Sequence, residues 1–457
     1  MIAKRPRSRP VAILLTLAAA LMLGAGCAND SGGGSTDKEG TGIGNSMNGN
    51  NPGMNGDGTD TWDEDSTAAC KVYASQLKTL TSADLSKEEF VDVYTVQLLD
   101  TWTSADLISF GPILKAVSVE KSITLDMTHA KGITNLPCFE NMQDEKRGIF
   151  NGCLALTTVL LPDTLETIGD YAFSGCKWLA RITIPASLKE VGSCAFLDCA
   201  SIAEVVHTGN LESWLGIYFY ANVSNPCYGS YIGGNYTGAE LYINGELVTD
   251  IIIPGTVSSI GQDAFCGCSS LKSVKISDGV MSMGFGAFEY CRSLESVTIP
   301  GSVSSIDWAI FNNCGALKNV TLSFGLESIG VGMFDECISL ETIEIPSTVK
   351  SIGDIAFDGC QSLKTITIPD GVESIGEGAF GSCDSLSSIN LPASLKSIGA
   401  RLFAYCSNLQ TIDFDGTIAE WNNITKLQGS WSFGTWYTDS YIKQVRCKNG
   451  NVTVNAK

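Results

Sequence analysis

Seventeen cysteines and two histidines are the residues of this 457-residue chain best suited to chemistry. Thiolates and imidazoles can hold zinc, form disulfides, or act as nucleophile and base. Their spacing decides among these. Cys153, Cys176 and Cys199 stand 23 residues apart, and Cys268, Cys291, Cys314, Cys337, Cys360, Cys383 and Cys406 keep the same interval. Cys199 and Cys268 are separated by 69 residues, three intervals. Cysteines strung in a row lack the clustering with histidines that a zinc site needs. Disulfides along the row are also disfavoured. Neighbouring strands place equivalent residues about 4.7–4.9 Å apart with parallel Cβ vectors, which misses the ~3.8 Å Cβ separation of a disulfide. The row is expected to be free, buried thiols, one in each coil of a repeat. Cys194, Cys227 and Cys266 lie off the interval. Any disulfide is expected there or between Cys70, Cys138 and Cys447, with the pairing open.

His129 and His207 fall in different repeats without ligand spacing, and His207 occupies a position otherwise held by inward Ile-type residues. The sequence contains no G-x-S-x-G, H-E-x-x-H, Walker A or strand-linked dinucleotide fingerprint. No catalytic residue, metal site or cofactor is expected, and the chain does not read as an enzyme.

The elements that carry the cysteines are set by the same period. Three residues before each cysteine stands Phe150, Phe173, Phe196, Phe265, Phe288, Phe311, Phe334, Phe357, Phe380 or Phe403. Three after it comes Leu or Ile; six and eight after it come residues such as Val274 and Ile276, often followed by Pro, as at Pro300. The unit reads C-x-x-L-x-x-I-x-I-P-x-x-V-x-S-I-G-x-x-A-F-x-x. The L-x-x-I-x-I stretch alternates like a short strand. Pro ends the ladder. V-x-S-I-G returns on the other side, with Gly expected to take a positive φ, and A-F-x-x-C turns the Phe inward. One coil cannot offset the ordering of its own 23 residues, so neighbours must share a core. The prediction is a repeat solenoid with a continuous parallel β-sheet and a phenylalanine spine.

LTTVLLPDTLETIGDYAFSGC and LKTITIPDGVESIGEGAFGSC resemble the BspA-like leucine-rich repeats of bacterial surface proteins. The resemblance covers residues 131–457. It implies a curved right-handed array at the cell surface, of a class associated with adhesion to host extracellular proteins or other cells.

Two stretches depart from the unit. Residues 200–247 are rich in aromatics, among them Trp214, Tyr218, Tyr220 and Tyr231, and Leu241–Val248 reads as a hairpin with a type I′ turn at Asn244 and Gly245. Gly416–Trp421 echoes Gly209–Trp214 at the same offset after a row cysteine, which marks 412–457 as a C-terminal cap. Trp214 and Trp421 are expected to plug coil ends, while Tyr218, Tyr220 and Tyr231 are candidates for an exposed binding patch. The second candidate surface is the outward strand position, seven after each cysteine: Lys275, Thr298, Thr321, Glu344, Thr367, Asn390 and Asp413.

Residues 66–130 read as a helical lead-in and N-terminal cap. Ser86 with Glu89 and, less strongly, Ser104 are the expected helix caps, and Ser122–Asp126 is the expected first strand. Residues 1–26 have a basic start, an apolar run too short to span a membrane and small residues before Cys27, the pattern of a signal peptide ending in a lipobox. Cys27 is the expected lipidation site. Ala28 lacks the acidic residue of an inner-membrane retention signal and points to the outer membrane. Residues 27–65 form a Gly/Ser/Asn linker expected to be disordered.

The net charge is −20, or −24 once Lys4, Arg5, Arg7 and Arg9 are removed with the leader. Such a chain repels nucleic acid and anionic membranes, so membrane attachment rests on the lipid. The expected partner is a host extracellular or cell-surface protein bound by a monomer; a surface carbohydrate-binding, nutrient-binding or structural module is the alternative.

Overall fold

The computed structural model describes residues 69–87, 93–140, 146–229, 231–232, 235–236, 238–426 and 442–454. The leader, Cys27 and the linker to residue 65 lie outside the described residues, as do Glu88 and Glu89.

Each 23-residue unit makes one coil, and most coils carry two short strands. The longer strands Ser273–Ile276, Ser296–Ile299 and Asn319–Leu322 pair in parallel, with Val274, Val297 and Val320 in register. Alternation along them sends Val and Ile inward and Ser and Thr outward. A second ladder of two-residue strands, including Ser351–Ile352, Ser374–Ile375 and Ser397–Ile398, forms on the return path. One hydrophobic core runs from Val72 to Val445.

The phenylalanines stack along that core. From Phe265 to Phe403, successive ring centroids are 5.2 to 6.0 Å apart. The row cysteines are buried free thiols, as their spacing predicts. They also have a task the spacing does not reveal. Each of eight thiols donates to the carbonyl of the phenylalanine one coil back, as in Cys360 to Phe334 O at 3.3 Å and Cys406 to Phe380 O at 2.9 Å. In seven of the eight, Phe380 being the exception, that carbonyl already accepts from its own coil's cysteine N–H, so the thiol occupies its second lone pair. A small side chain with a donor fits where Ala would leave the acceptor half used. Disulfides were expected among the off-interval cysteines or between Cys70, Cys138 and Cys447. Cys194, off the interval, is disulfide-bonded, whereas Cys138, Cys227, Cys266 and Cys447 carry free thiols.

The glycine of S-I-G is not left-handed. The left-handed positions of the coil include the residue before the row cysteine, with φ between 56° and 76° at such positions as Gly175, Gly267, Tyr290 and Glu336, and the residue five before it, with φ between 53° and 59° at Tyr171, Asp263, Gly286 and Ala309. The S-I-G glycine is required for space: a Cβ on Gly376 would lie 2.3 Å from Asp354 N, and one on Gly399 2.2 Å from Glu377 N.

The parallel ladder runs in segments. The first begins upstream of the repeats, where Ala69–Tyr73, Val93–Thr101 and Ser122–Asp126 pair in order and join Leu156–Leu160. Ser122–Asp126 is therefore the third strand of the ladder, and residues 66–130 supply sheet as well as helix. The segment closes at a hairpin, Glu240–Ile243 with Glu246–Leu247, whose turn residues Asn244 and Gly245 have φ of 53° and 79°. A second segment starts at Asp250–Ile253. Residues 341–346 make no ladder, although Ile343 and Ile345 stay buried, and a third segment begins at Thr365–Thr367.

The helix caps differ from expectation. Ser86 ends the helix Ser82–Leu85, and Glu89, its expected partner in a box, lies outside the described residues. Ser104 is the first residue of the helix Ser104–Lys115, and Thr103 is its cap. Both helices use a Thr-x-x-Asp box, Thr81 with Asp84 and Thr103 with Asp106. Thr and Asp in these boxes satisfy the same kind of free N–H groups that Ser and Glu would.

Candidate interaction surface

The outward column is largely a structural unit. Lys275 pairs with Ile252 on one side and Thr298 on the other, and Thr298 pairs with Thr321. Thr367, Asn390 and Asp413 form a second continuous run. Glu344 is exposed in the stretch without ladder bonds between them. Arg446, which the repeat pattern does not reach, extends the second run and holds Asp413 through Nη2 to Oδ2 at 2.7 Å. Asn390 donates to Asp415 at 2.8 Å. The run's end is thus a fixed polar edge, while Thr321, Glu344 and Thr367 face solvent.

The aromatic patch is elsewhere. Tyr218–Phe219 is a strand of the return ladder, where Tyr218 lies beside Glu190 and Phe219 beside Val191. Alternation buries Phe219 and leaves Tyr218 51% and Tyr220 43% exposed. Their rings meet edge to face at 5.1 Å. A hydrogen bond to Glu190 keeps the Tyr220 hydroxyl protonated above its usual range. Tyr231 pairs through its backbone with Tyr236. The two candidate surfaces therefore belong to different ladders of the coil.

Trp214 and Trp421 are both buried. Each sits on a short helix after a strand, Leu211–Leu215 and Ile418–Asn423, capped by Asn210 and Thr417. Trp214 meets His207 at 5.4 Å and Trp421 meets Phe414 at 5.3 Å. An antiparallel hairpin follows in both places. His207 is buried. Its Nδ1 lies 3.0 Å from the Ile184 carbonyl and its Nε2 2.7 Å from Ser213 Oγ. The carbonyl can only accept, so Nδ1 carries the proton, and burial lowers the ring's pKa. The imidazole ties helix to strand. His129 instead is exposed at the N-terminal sheet beside the buried Asp126, which accepts from Thr128 Oγ1 at 2.6 Å and from Gln97 Nε2 at 3.0 Å.

A buried polar column, invisible to the repeat pattern, follows the phenylalanines by one residue: Cys266, Glu289, Asn312 and Asp335. Burial holds the Asp335 carboxyl well above the usual range, reinforced by Asp358, Glu336 and Glu289. A carboxyl whose folded pKa is raised binds its proton more tightly when folded. Its stabilising effect is complete below about pH 4 and is lost as pH rises through the folded value. Asp335→Asn keeps the neutral form at every pH. Thermal unfolding should show the variant gaining over the parent at neutral pH and matching it near about pH 4; a pH-independent difference would contradict this.

Stacked 23-residue coils, two parallel ladders and one shared core define a leucine-rich-repeat solenoid. The chain matches the BspA type leucine rich repeat region in six copies, over residues 131–226, 236–360 and 327–427. It belongs to that family. Similar solved structures include a leucine-rich repeat protein from Bacteroides ovatus, with 25% identity over 65% of this chain and 92% of that one at a TM-score of 0.29. A leucine rich cell surface protein from Faecalibacterium prausnitzii has 25% identity over 60% and 83% of the two chains, at 0.36. A leucine-rich repeat protein from Eubacterium ventriosum has 19% identity over 79% and 95%, at 0.38. No curated protein matches the chain.

Proposed function

We propose that the chain is a cell-surface binding protein of adhesin type. In this reading it is secreted, lipidated at Cys27 and held off the outer membrane by the linker that ends at residue 65. As a monomer, it recognises a host extracellular or cell-surface protein through the outward face of the longer ladder. The observation that carries the reading is that face: regularly spaced side chains on paired strands, presenting Lys275, Thr298 and Thr321, then Thr367, Asn390 and Asp413. Repeat solenoids use such extended faces for partners. The net charge of −20 speaks against nucleic acid as the partner.

The exposed Tyr218–Tyr220 pair favours a second reading, capture of carbohydrate on an aromatic platform. Removing residues 208–246 would not test it, because Trp214, Cys227 and Leu241 belong to the core. Point variants avoid that damage. The mature protein is passed over immobilised extracellular-matrix proteins and immobilised polysaccharides. Thr298→Arg with Thr367→Arg should cut retention on a matrix protein by about tenfold or more, and Tyr218→Ala with Tyr220→Ala should leave it intact. Retention on polysaccharide that depends on the tyrosines alone would transfer the conclusion to carbohydrate. Retention on neither panel, or retention that both pairs leave unchanged, would overturn both readings.

A further inference from the structure

Where the elaborated repeat meets the next coils, three potential ligands are shut in together. Asp263 and Cys266 flank Phe265, and Glu289 follows Cys266 by one period. Asp263 and Cys266 are wholly buried and Glu289 is 2% exposed. A carboxylate oxygen of each acid and the Cys266 sulfur lie within 4.8 Å of one another. Segment 222–229 adjoins them: Val223, Tyr228 and Tyr290 pack with Cys266, and Asn225 Nδ2 donates to the Asp263 carbonyl at 2.7 Å.

Each acid has one oxygen without a well-formed hydrogen bond, although the Asn222 side chain also interacts with Glu289. Asp263 Oδ2 accepts from Gln262 at 3.1 Å, and Glu289 Oε1 accepts from Asn312 at 3.2 Å. Asp263 Oδ1 and Glu289 Oε2 have no hydrogen-bond partner. Both approach Gly286, where a Cβ would come within 2.5 Å of the first and 3.2 Å of the second. The glycine leaves room between them.

Two buried acids with unmet oxygens are costly. Burial pushes the Asp263 pKa up to about 8, and burial together with the neighbouring Asp263 pushes that of Glu289 well above its usual value. Protons alone leave the geometry unsatisfied, because the two open oxygens do not hydrogen-bond to each other. A divalent cation would take both oxygens and the sulfur at once. Calcium and magnesium prefer all-oxygen sets, whereas a thiolate among oxygens suits zinc and its neighbours. Zinc donors at about 2.0–2.3 Å from the metal require only a small closure of these side chains.

We propose that Asp263, Cys266 and Glu289 bind one zinc-class divalent cation, which fixes segment 222–229 of the aromatic repeat against the array. The cation displaces the protons on the carboxyls and the thiol, and the site then carries its ligands in the deprotonated form.

Cobalt(II) is the probe, with zinc as competitor. It is offered to the metal-stripped full chain both folded and during refolding, so that slow entry into a buried site cannot hide binding. The expected result is one equivalent of cobalt with a sulfur-to-metal charge-transfer band, removed by one equivalent of zinc. Cys266→Ser should abolish the band, and Cys337→Ser, in a regular coil, should keep it. Asp263→Asn and Glu289→Gln preserve shape and should weaken zinc binding by about tenfold or more, with circular dichroism confirming the fold. No stoichiometric cobalt band in the wild-type chain would overturn the proposal, whatever the variants do. So would a band that survives Cys266→Ser, or zinc affinity indifferent to both carboxylate changes.

Discussion

Phe334→Ala is expected to lower folding stability by about 3–5 kcal/mol. Phe334 is wholly buried and stacked between Phe311 at 5.7 Å and Phe357 at 5.5 Å. Neither neighbour can move into the gap without leaving its own stack, so relaxation is limited and a cavity remains. The carbonyl of residue 334 also receives the Cys360 thiol, so backbone displacement would loosen that bond too. Phe324→Ala is the control: it removes the same side chain at a residue 78% exposed, and should change stability by less than about 0.5 kcal/mol. Urea unfolding followed by circular dichroism measures both. A loss below about 1 kcal/mol for Phe334→Ala would mean the stacked rings do not hold neighbouring coils together.

The second large effect is expected at Trp214. Its ring is fully buried and its Nε1 donates to Ala264 O at 2.9 Å, across the elaborated repeat to the coil beyond. Trp214→Ala removes both packing and donor, and should cost about 3–5 kcal/mol. Trp214→Phe keeps most of the volume and loses the donor, and should cost about 1–3 kcal/mol; Asn225 Nδ2 at 3.3 Å remains as the other partner of that carbonyl. Stability in a solenoid is a sum of unit and neighbour-interface contributions. Weakening this junction should therefore split unfolding into two steps, which differential scanning calorimetry would resolve. A single transition at the parental midpoint in Trp214→Ala would show that the junction contributes little.

The coil was legible in the sequence because burial repeats with it. Phe and Cys at a fixed offset can share a core only if the coils stack, and the Asn244–Gly245 turn and the buried Trp214 and Trp421 were equally open to reading. Other features left weaker traces. The thiol-to-carbonyl bonds join a side chain to a backbone atom of the previous coil, which no residue type announces. The stretch Leu340–Pro346 has the same alternation as its neighbours, yet makes no ladder. The helix caps are signalled by a repeated pentapeptide, Thr-Ser-Ala-Asp-Leu at 81–85 and 103–107, in which Thr-x-x-Asp takes the part of Ser-x-x-Glu. The Asp263, Cys266 and Glu289 cluster was hidden because most other acids in the repeats face water. Its trace was the polar run that follows the phenylalanines at 266, 289, 312 and 335.

The hairpins at 240–247 and 444–453 bear on how such a molecule can change size. Between these two stops, coils resemble interchangeable beads on a rod. Gaining or losing one bead would alter the rod by a single strand spacing, about 4.8 Å, with both stops untouched. Reach can thus be adjusted in fixed increments, independently of the machinery that finishes either end.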